Sequence, residues 1–587
     1  MKKYKIFKYI GPYKKDFIIA ICCFAFETLL EISIPFLMNE LLSKGVYIDN
    51  VTNKYAINVQ NLTIISLIMV VCAVLAFFLG VNGAKYTALA GRGFGAELRK
   101  NEYLKIQKFS FNNIDTLRTS SLITRLTDDI TVIQDGFCEC MRPIIRAPLT
   151  LIFSLVFAFI ISPILALIFC VSLPVLAVLL LIILFKVKPN YKKMQMAMDD
   201  INRVTNENIT NIKTIKSFVK EDYEIEKFDE VNKNFKHIAR KSFGFTALNM
   251  PTVNLIMYAT IVCILYFGGI FVINEQYGVT TVNISSFLTY VQQILASLTM
   301  MSNVFMIFNR MEASIDRTKE VLTTDINYVI NKDSKLKIED GNISFKNVCF
   351  KYNQSANKNT LENINLNIKK GQFIGIVGKT GSGKTTLINL IDRFYDISTG
   401  KLLIDNIDIK DFSMEELHSK ISLSFQSPLL FKGSVIDNLK FGNKNASMDD
   451  VIKACKLTCC YDFITTKLAN GFDTIISEGG TDISGGQRQR ICLARALIVN
   501  PKILILDDSF SAIDHLTEIE VKKNLNSLKN ITKIVVSQKI SAIKDADKII
   551  VLDEGKITSI GKHEDLLSKD NIYKELATLQ NEIGGNK

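Results

Sequence analysis

Histidine is scarce in this chain: 587 residues contain only four, and none lies near its densest cysteine group, Cys455, Cys459 and Cys460. A structural zinc site needs four nitrogen or sulfur ligands. The group therefore reads as free thiols at helical spacing, as do Cys22, Cys23, Cys72, Cys170 and Cys263 inside apolar runs. Basic residues are missing from two long stretches, between Arg146 and Lys186 and between Lys241 and Arg310, whereas Lys186 to Lys241 is dense in lysine. That alternation describes membrane hairpins separated by a large cytoplasmic excursion, with lysine and arginine on the inner side. It accounts for much of the net charge of +12 and makes a nucleic-acid partner unnecessary. A cleavable signal is also lacking, because the first apolar stretch, Phe17 to Leu42, is too long for a signal-peptide core and has no clear small-residue cleavage site.

The sequence is 48% hydrophobic with 22% charged residues, and the apolar share is concentrated in the first half. Residues 1–15 interleave Lys2, Lys3, Lys5 and Lys8 with Tyr4, Ile6, Phe7, Tyr9 and Ile10, which suits an amphipathic interfacial helix. Residues 16–322 hold six runs long enough to span a bilayer, near 17–42, 60–86, 138–161, 164–186, 247–273 and 284–308. External connections are short, Ser162-Pro163 and 274–283, and the one longer loop, 43–59, is expected to have no fold of its own. The polar stretches after the second and fourth spans read as helices running ~30 Å or more into the cytoplasm. A linker at 323–337 precedes a mixed α/β region at 338–587. The expected fold class is thus a six-helix membrane domain with long cytoplasmic extensions, followed by an α/β P-loop NTPase domain.

In that second region, Gly378-Lys379-Thr380-Gly381-Ser382-Gly383-Lys384-Thr385-Thr386 follows a predicted strand and opens a predicted helix, the context that gives a P-loop its meaning. Backbone N–H groups approach the phosphates there, and the helix N-terminus favours an anion. Lys384 is placed to meet the β- and γ-phosphates and the Thr385 hydroxyl to ligate Mg²⁺. Asp507 ends the apolar run Ile503-Leu504-Ile505-Leu506 and supplies the second oxygen ligand.

Ile483-Ser484-Gly485-Gly486-Gln487 resembles the signature of ATP-binding cassette proteins, with Ile in place of Leu, and the similarity extends along the whole chain in the expected order. The resemblance implies ATP and Mg²⁺ as cofactors, Tyr352 stacking on adenine, Gln426 sensing magnesium and water, Glu478 and Asp514 at a dimer interface, and Ser484, Gly485, Gly486 and Gln487 acting on a partner's ATP. It also implies that 115–133 and 207–228 are intracellular coupling loops. A chain with one cassette cannot complete a site alone, so the partner is a second half-transporter.

Two residues depart from the family pattern. Asp508 stands where Glu orients the attacking water, and Gln538 stands where His contacts the γ-phosphate. The pattern resembles the degenerate subunit of bacterial heterodimeric exporters. It implies an ATPase-coupled transporter of the plasma membrane, with cytoplasmic termini, moving a drug, lipid or peptide and hydrolysing mainly at the partner's site. A homodimeric lipid or drug flippase and a non-transporting ATP-gated sensor are the competing readings. In the membrane half, Glu27 and Glu31 on one face of the first span are candidate substrate contacts. Met300, Met301, Met306 and Met311 with Phe305 and Phe308 form an adaptable apolar face on the sixth, a composition that equally suits lipid.

Overall fold

The computed structural model describes residues 6–48, 55–326, 334–353 and 358–584. It divides into two compact units: residues 1–107 with 120–324, and residues 108–119 with 325–587. The short stretch 108–119, flanked on both sides by the first unit, belongs to the second.

The first unit is helical. A 3₁₀ segment, Ile6–Tyr13, leads into α1 (Lys14–Gly45). It packs on α2 (Val59–Ile106), with Ile6 and Ile10 buried; residues 1–5 lie outside the described part. Between α1 and α2 the expected featureless loop carries a small hairpin, β1 (Val46–Ile48) against β2 (Tyr55–Ile57), antiparallel with Val46 opposite Ile57. Strands of three residues are too short for an alternating pattern to reveal them.

From the end of the stretch 108–119, α4 (Thr119–Thr124) runs through a single π-helical turn, Arg125–Asp129, into α5 (Ile130–Ile161). Pro163 at the first turn then opens α6 (Pro163–Thr210), as its fixed φ and missing N–H allow. The six-residue α7 (Ile212–Ser217), α8 (Glu221–Ala247), α9 (Asn249–Ile273) and α10 (Thr281–Thr323) complete the unit. Among the described residues, six helical stretches are long and apolar enough to cross a membrane. α2 and α6 have 48 residues each, about 72 Å at 1.5 Å per residue and more than twice a bilayer core. Their polar ends project well past the bilayer, as the run lengths require. Met301, Phe305, Met306 and Phe308 are exposed on α10, but Met311 is buried, with its sulfur where a side chain on Gly136 would sit. It is a packing residue and drops out of the adaptable face.

On the polar C-terminal part of α2, Glu102 is fully buried, and neither carboxyl oxygen has a hydrogen-bond partner among the described residues. Burial pushes its pKa up to about 7, Arg125 opposes the shift and Asp129 adds to it. Arg125 pairs with Glu320 at 2.8 Å, and Asp129 accepts bonds from Arg317 (Nε at 2.7 Å) and Ser314 (2.8 Å) on α10. Between the ordinary value of 4.5 and about 7, the folded chain holds a proton that the unfolded chain has released. Stability therefore falls as pH rises through that window, by up to about 1.4 kcal/mol per pH unit. Glu102→Gln removes the cost. Its thermal midpoint is expected to exceed that of the native chain by a few degrees at pH 8 and to match it near pH 5. A constant difference at both pH values would show that Glu102 does not titrate in this window.

The second unit is built on a six-stranded sheet of order β14-β13-β5-β12-β11-β8, parallel except for the outermost pair. In chain order it contains β3 (Ile343–Phe350), β4 (Leu361–Ile368), β5 (Phe373–Gly378), α11 (Lys384–Ile391), β6 (Thr399–Ile404) and β7 (Ile407–Asp408). Then come α12 (Met414–Lys420), β8 (Ile421–Ser424), β9 (Gly433–Ser434), α13 (Val435–Lys440), α14 (Met448–Leu457), α15 (Tyr461–Lys467) and β10 (Ile475–Ile476). The chain ends with α16 (Gly485–Ile498), β11 (Ile503–Asp507), α17 (His515–Asn526), β12 (Thr532–Val536), β13 (Lys548–Asp553), β14 (Lys556–Gly561), α18 (His563–Lys569) and α19 (Asn571–Gly584). A separate antiparallel sheet, β4-β3-β6-β7, lies against β5 through Ile374 and Ile376. β11 and β12 are buried along their whole length, so their continuous apolar runs reflect a sheet covered on both faces. Of the expected linker, residues 327–333 lie outside the described part.

Candidate functional site

Parallel strands place their C-terminal ends at one edge of a sheet, where open α/β folds bind ligands. β5 ends at Gly378, β11 at Asp507 and β12 at Val536, and register pairs Asp507 with Val536 and Val536 with Ile376. The loops leaving these ends enclose a cavity of about 340 Å³ lined by Lys384, Thr385, Gln426, Asp507, Asp508 and Gln538, among others. Six residues spread over more than 150 positions of sequence thus line one cavity.

The loop Lys379–Gly383 turns through Gly381 and Gly383, whose φ of +81° and +100° a side chain would oppose. Lys384 donates to the carbonyls of Gly378 and Lys379, both at 2.9 Å. Burial pulls its pKa down, against the pull of Asp507 and Asp508. The Thr385 hydroxyl lies 3.4 Å from Asp507 Oδ2. Burial raises the Asp507 pKa, with the Thr385 bond acting the other way. A hydroxyl beside a desolvated carboxylate, with the Gln426 amide in the same cavity, is an all-oxygen set that fits Mg²⁺; a divalent cation there would keep Asp507 ionised.

Asp508 follows β11 with φ +46°, and its N–H donates to Val536 O at 2.9 Å. Left-handed backbone favours a short polar side chain such as Asp, so the turn itself suits the residue found here. The Asp508 carbonyl accepts from Gln489 at 3.2 Å, and Gln489 in turn receives the Ala512 N–H at 3.0 Å. Gln538 is fixed through its backbone, its carbonyl accepting from Gln580 at 2.6 Å.

Tyr352 stands at the margin. Its hydroxyl meets Thr386 Oγ1 at 3.1 Å, and its ring packs edge-on against Tyr395 at 4.9 Å between centroids. Tyr395, which the sequence did not single out, donates to Asp115 Oδ2 at 2.6 Å. Asp115 lies on α3 (Phe111–Leu117), whose Phe111 packs on Phe394 at 4.6 Å. These contacts are internal to the second unit and account for the grouping of 108–119 with it.

The signature residues lie elsewhere: none of 484–487 lines the cavity. Ser484 is exposed and caps α16, accepting from Gln487 N at 3.3 Å while its own N–H donates to the Gln487 side chain at 3.0 Å. That is a capping box, and it leaves the first amides of α16 facing outward. Asp514 similarly caps α17 by accepting from Thr517 N at 3.0 Å. Glu478 is exposed at the start of a 3₁₀ turn in which Gly479 and Gly480 have φ of +74° and +67°. Both positions suit glycine, which adopts positive φ at no steric cost.

In the membrane unit, Glu27 does not reach toward open space. It is buried and paired with Arg142 at 2.5 Å, and Arg146 pairs with Glu31. The arginines went unassigned in the sequence, although their spacing of four matches that of Glu27 and Glu31.

Two family models match the chain, ABC transporter transmembrane region over 17–298 and ABC transporter over 361–511. The ABC transporter ATP-binding protein YfiB of Bacillus subtilis is 32% identical, covering 97% of each chain. An ATP-dependent lipid A-core flippase of Syntrophus aciditrophicus is 30% identical over 98% of this chain and 94% of its own. A solved bacterial Atm1-family ABC exporter with ATP bound superposes with a TM-score of 0.77, at 23% identity, over 97% of this chain and 98% of the other. With its six-helix membrane unit, its single cassette and relatives aligned end to end, the chain belongs to the ABC transporters and is a half-transporter of exporter fold.

Proposed function

We propose that the chain is one subunit of a heterodimeric exporter in a bacterial plasma membrane, moving a hydrophobic or amphipathic substrate. In this reading its own ATP site binds nucleotide but turns it over poorly, and its signature serves the partner's competent site. The observation that carries this reading is the composition of one cavity: Lys384, Thr385 and Asp507, whose chemistry suits phosphate and Mg²⁺, stand beside Asp508 and Gln538. Asp retracts the carboxylate by about one C–C bond, and a misplacement of about 1 Å can cost ~10²-fold in rate. Gln538 hydrogen-bonds but cannot carry a proton or charge as His would.

Within this chain Lys384 holds the γ-phosphate side, Thr385 and Asp507 hold the cation that neutralises phosphate charge, and Tyr352 packs on the base. Ser484 and the outward amides of α16 close over the partner's nucleotide. Several apolar residues around α7, among them Ile212, Phe218 and Val219, are exposed, which supports a second chain covering this coupling segment. The likeness to a lipid A-core flippase favours a lipid among the possible substrates and keeps a homodimeric flippase as the second reading.

The test is the full chain expressed alone and reconstituted in nanodiscs. Nucleotide binding with very slow hydrolysis is expected. Turnover comparable to that of a complete exporter would establish the homodimer in its place.

A further inference from the structure

β12 ends at Val536, and the chain then passes the cavity before the 3₁₀ turn Ile540–Ala542. The start of this loop is held locally: Ser537 N–H donates to Ile376 O at 3.2 Å, and Ser537 Oγ accepts from Lys539 N at 3.0 Å. Its next two backbone groups share one partner on a distant element. The Gln580 side chain of α19 donates from Nε2 to Gln538 O at 2.6 Å and accepts at Oε1 from Ile540 N at 2.8 Å. A primary amide presents donor and acceptor side by side. It therefore meets the peptide edge on both sides of Lys539 as a neighbouring strand would.

α19 holds that amide in place. Tyr573 and Ala577 are buried and Leu576 packs on the same core, while Tyr573 OH meets His563 Nδ1 at 2.7 Å. Gln580 follows these residues at helical spacing and so falls on the inward stripe of the helix, where an apolar side chain is usual. Its polar end is turned to the loop. The side chain of Gln538 is exposed and lines the cavity with Lys384 and Thr385. Supporting hydrogen bonds of this kind keep a binding group within a narrow range of directions. An unclamped loop would have to be ordered as nucleotide binds, which lowers affinity.

We propose that Gln580 is a positioning residue that holds the Gln538 amide toward the γ-phosphate, so that this chain's site retains ATP in preference to ADP. The proposal rests on the reading of a site that binds ATP and turns it over poorly, and adds how such a site still distinguishes the two nucleotides. α19 has a second contact with the site, Glu575 at 3.8 Å from Lys379 Nζ, with both side chains more than half exposed. An exposed pair of that kind contributes little, and it serves either nucleotide alike.

The experiment measures equilibrium binding of radiolabelled ADP and of the non-hydrolysable β,γ-imido analogue of ATP to the full chain in nanodiscs with Mg²⁺. The unaltered chain is expected to hold the analogue about tenfold or more tightly than ADP, the scale of a hydrogen bond to a charged group. Gln580→Met keeps the apolar packing but neither hydrogen bond, and should remove most of that preference by weakening the analogue alone. Gln580→Glu, which sets a carboxylate against Gln538 O, should do the same and guards against a packing fault peculiar to methionine. Gln538→Ala should lower the ratio as far, and the double variant Gln538→Ala with Gln580→Met no further, because residues acting through one contact are not additive. Full additivity would mean that Gln580 acts through something other than Gln538 and overturns the proposal. So does an equal loss of both nucleotides, an unchanged ratio, or no preference in the unaltered chain. Glu575→Gln should leave the ratio as it is; a shift as large as that of Gln580→Met would give the effect to the helix instead of the amide and overturn the assignment. Brisk turnover of ATP by the unaltered chain would undo the weak-site reading alone, since the ratios are read without hydrolysis. Failure to bind either nucleotide would undo both.

Discussion

Ser484→Arg is expected to lower ATP hydrolysis by the assembled transporter at least ~10²-fold, the scale for losing preorganised donors at developing phosphate charge, whereas Lys384→Ala leaves measurable turnover. The asymmetry follows from where the two residues lie. Ser484 sits outside the chain's own cavity, exposed at the N-terminus of α16 and locked by its capping box with Gln487. Arginine there removes the cap and fills the space over which the partner's nucleotide must be closed. Lys384 faces the cavity that holds Asp508 and Gln538, so its loss weakens nucleotide retention at a site contributing little turnover. Steady-state ATPase of the co-expressed complex, with photo-crosslinked azido-ATP reporting occupancy, measures both. Equal inactivity of the two variants at full assembly and saturating ATP would mean that this chain's site turns over with its partner's, or is itself the productive one.

The second large effect runs in the other direction. Asp508→Glu combined with Gln538→His should raise single-turnover hydrolysis at this chain's site by ~10²-fold or more, the usual contribution of a well-placed general base. The gain requires that the partner's signature still closes over the bound nucleotide. Asp508 occupies a left-handed backbone position held by Gln489 and Val536, and Glu is less at ease there. A small loss of thermal stability should therefore accompany the gain in rate. The single substitutions separate the two contributions. If the double variant hydrolyses no faster with a partner whose signature is intact, the slow step lies outside these two positions.

Residues that act through local backbone were legible in the sequence. The P-loop, Asp507-Asp508 and the signature each lie on a few consecutive positions whose spacing carries their chemistry, and the fold needs only to bring three strand ends together. The partners of Glu27 were not legible, since 115 residues separate it from Arg142 and nothing in either local pattern names the other. The same holds for Tyr395 and Asp115, 280 residues apart. Glu102 was invisible for a different reason: a Glu on the polar end of α2 reads as solvated, and only its burial beside Arg125 and Asp129 shows that it is not. The π-helical turn at Arg125–Asp129 leaves the apolar pattern on either side nearly unchanged, so periodicity does not reveal it.

Residues 108–119 give the cassette unit a second attachment, because the chain enters that unit twice, once through α3 and once through the linker before residue 338. Two attachments change the chemistry of the contact between Asp115 and Tyr395. Within the unit α3 is held by Tyr395 donating to Asp115, by Asn113 donating to the Asp325 carbonyl at 3.2 Å and by the tilted rings of Phe111 and Phe394. A short tether that keeps such contacts at an effective concentration in the millimolar range lets them stay formed without being tight. Cutting the linker would remove that tether and turn the same contacts into a bimolecular equilibrium.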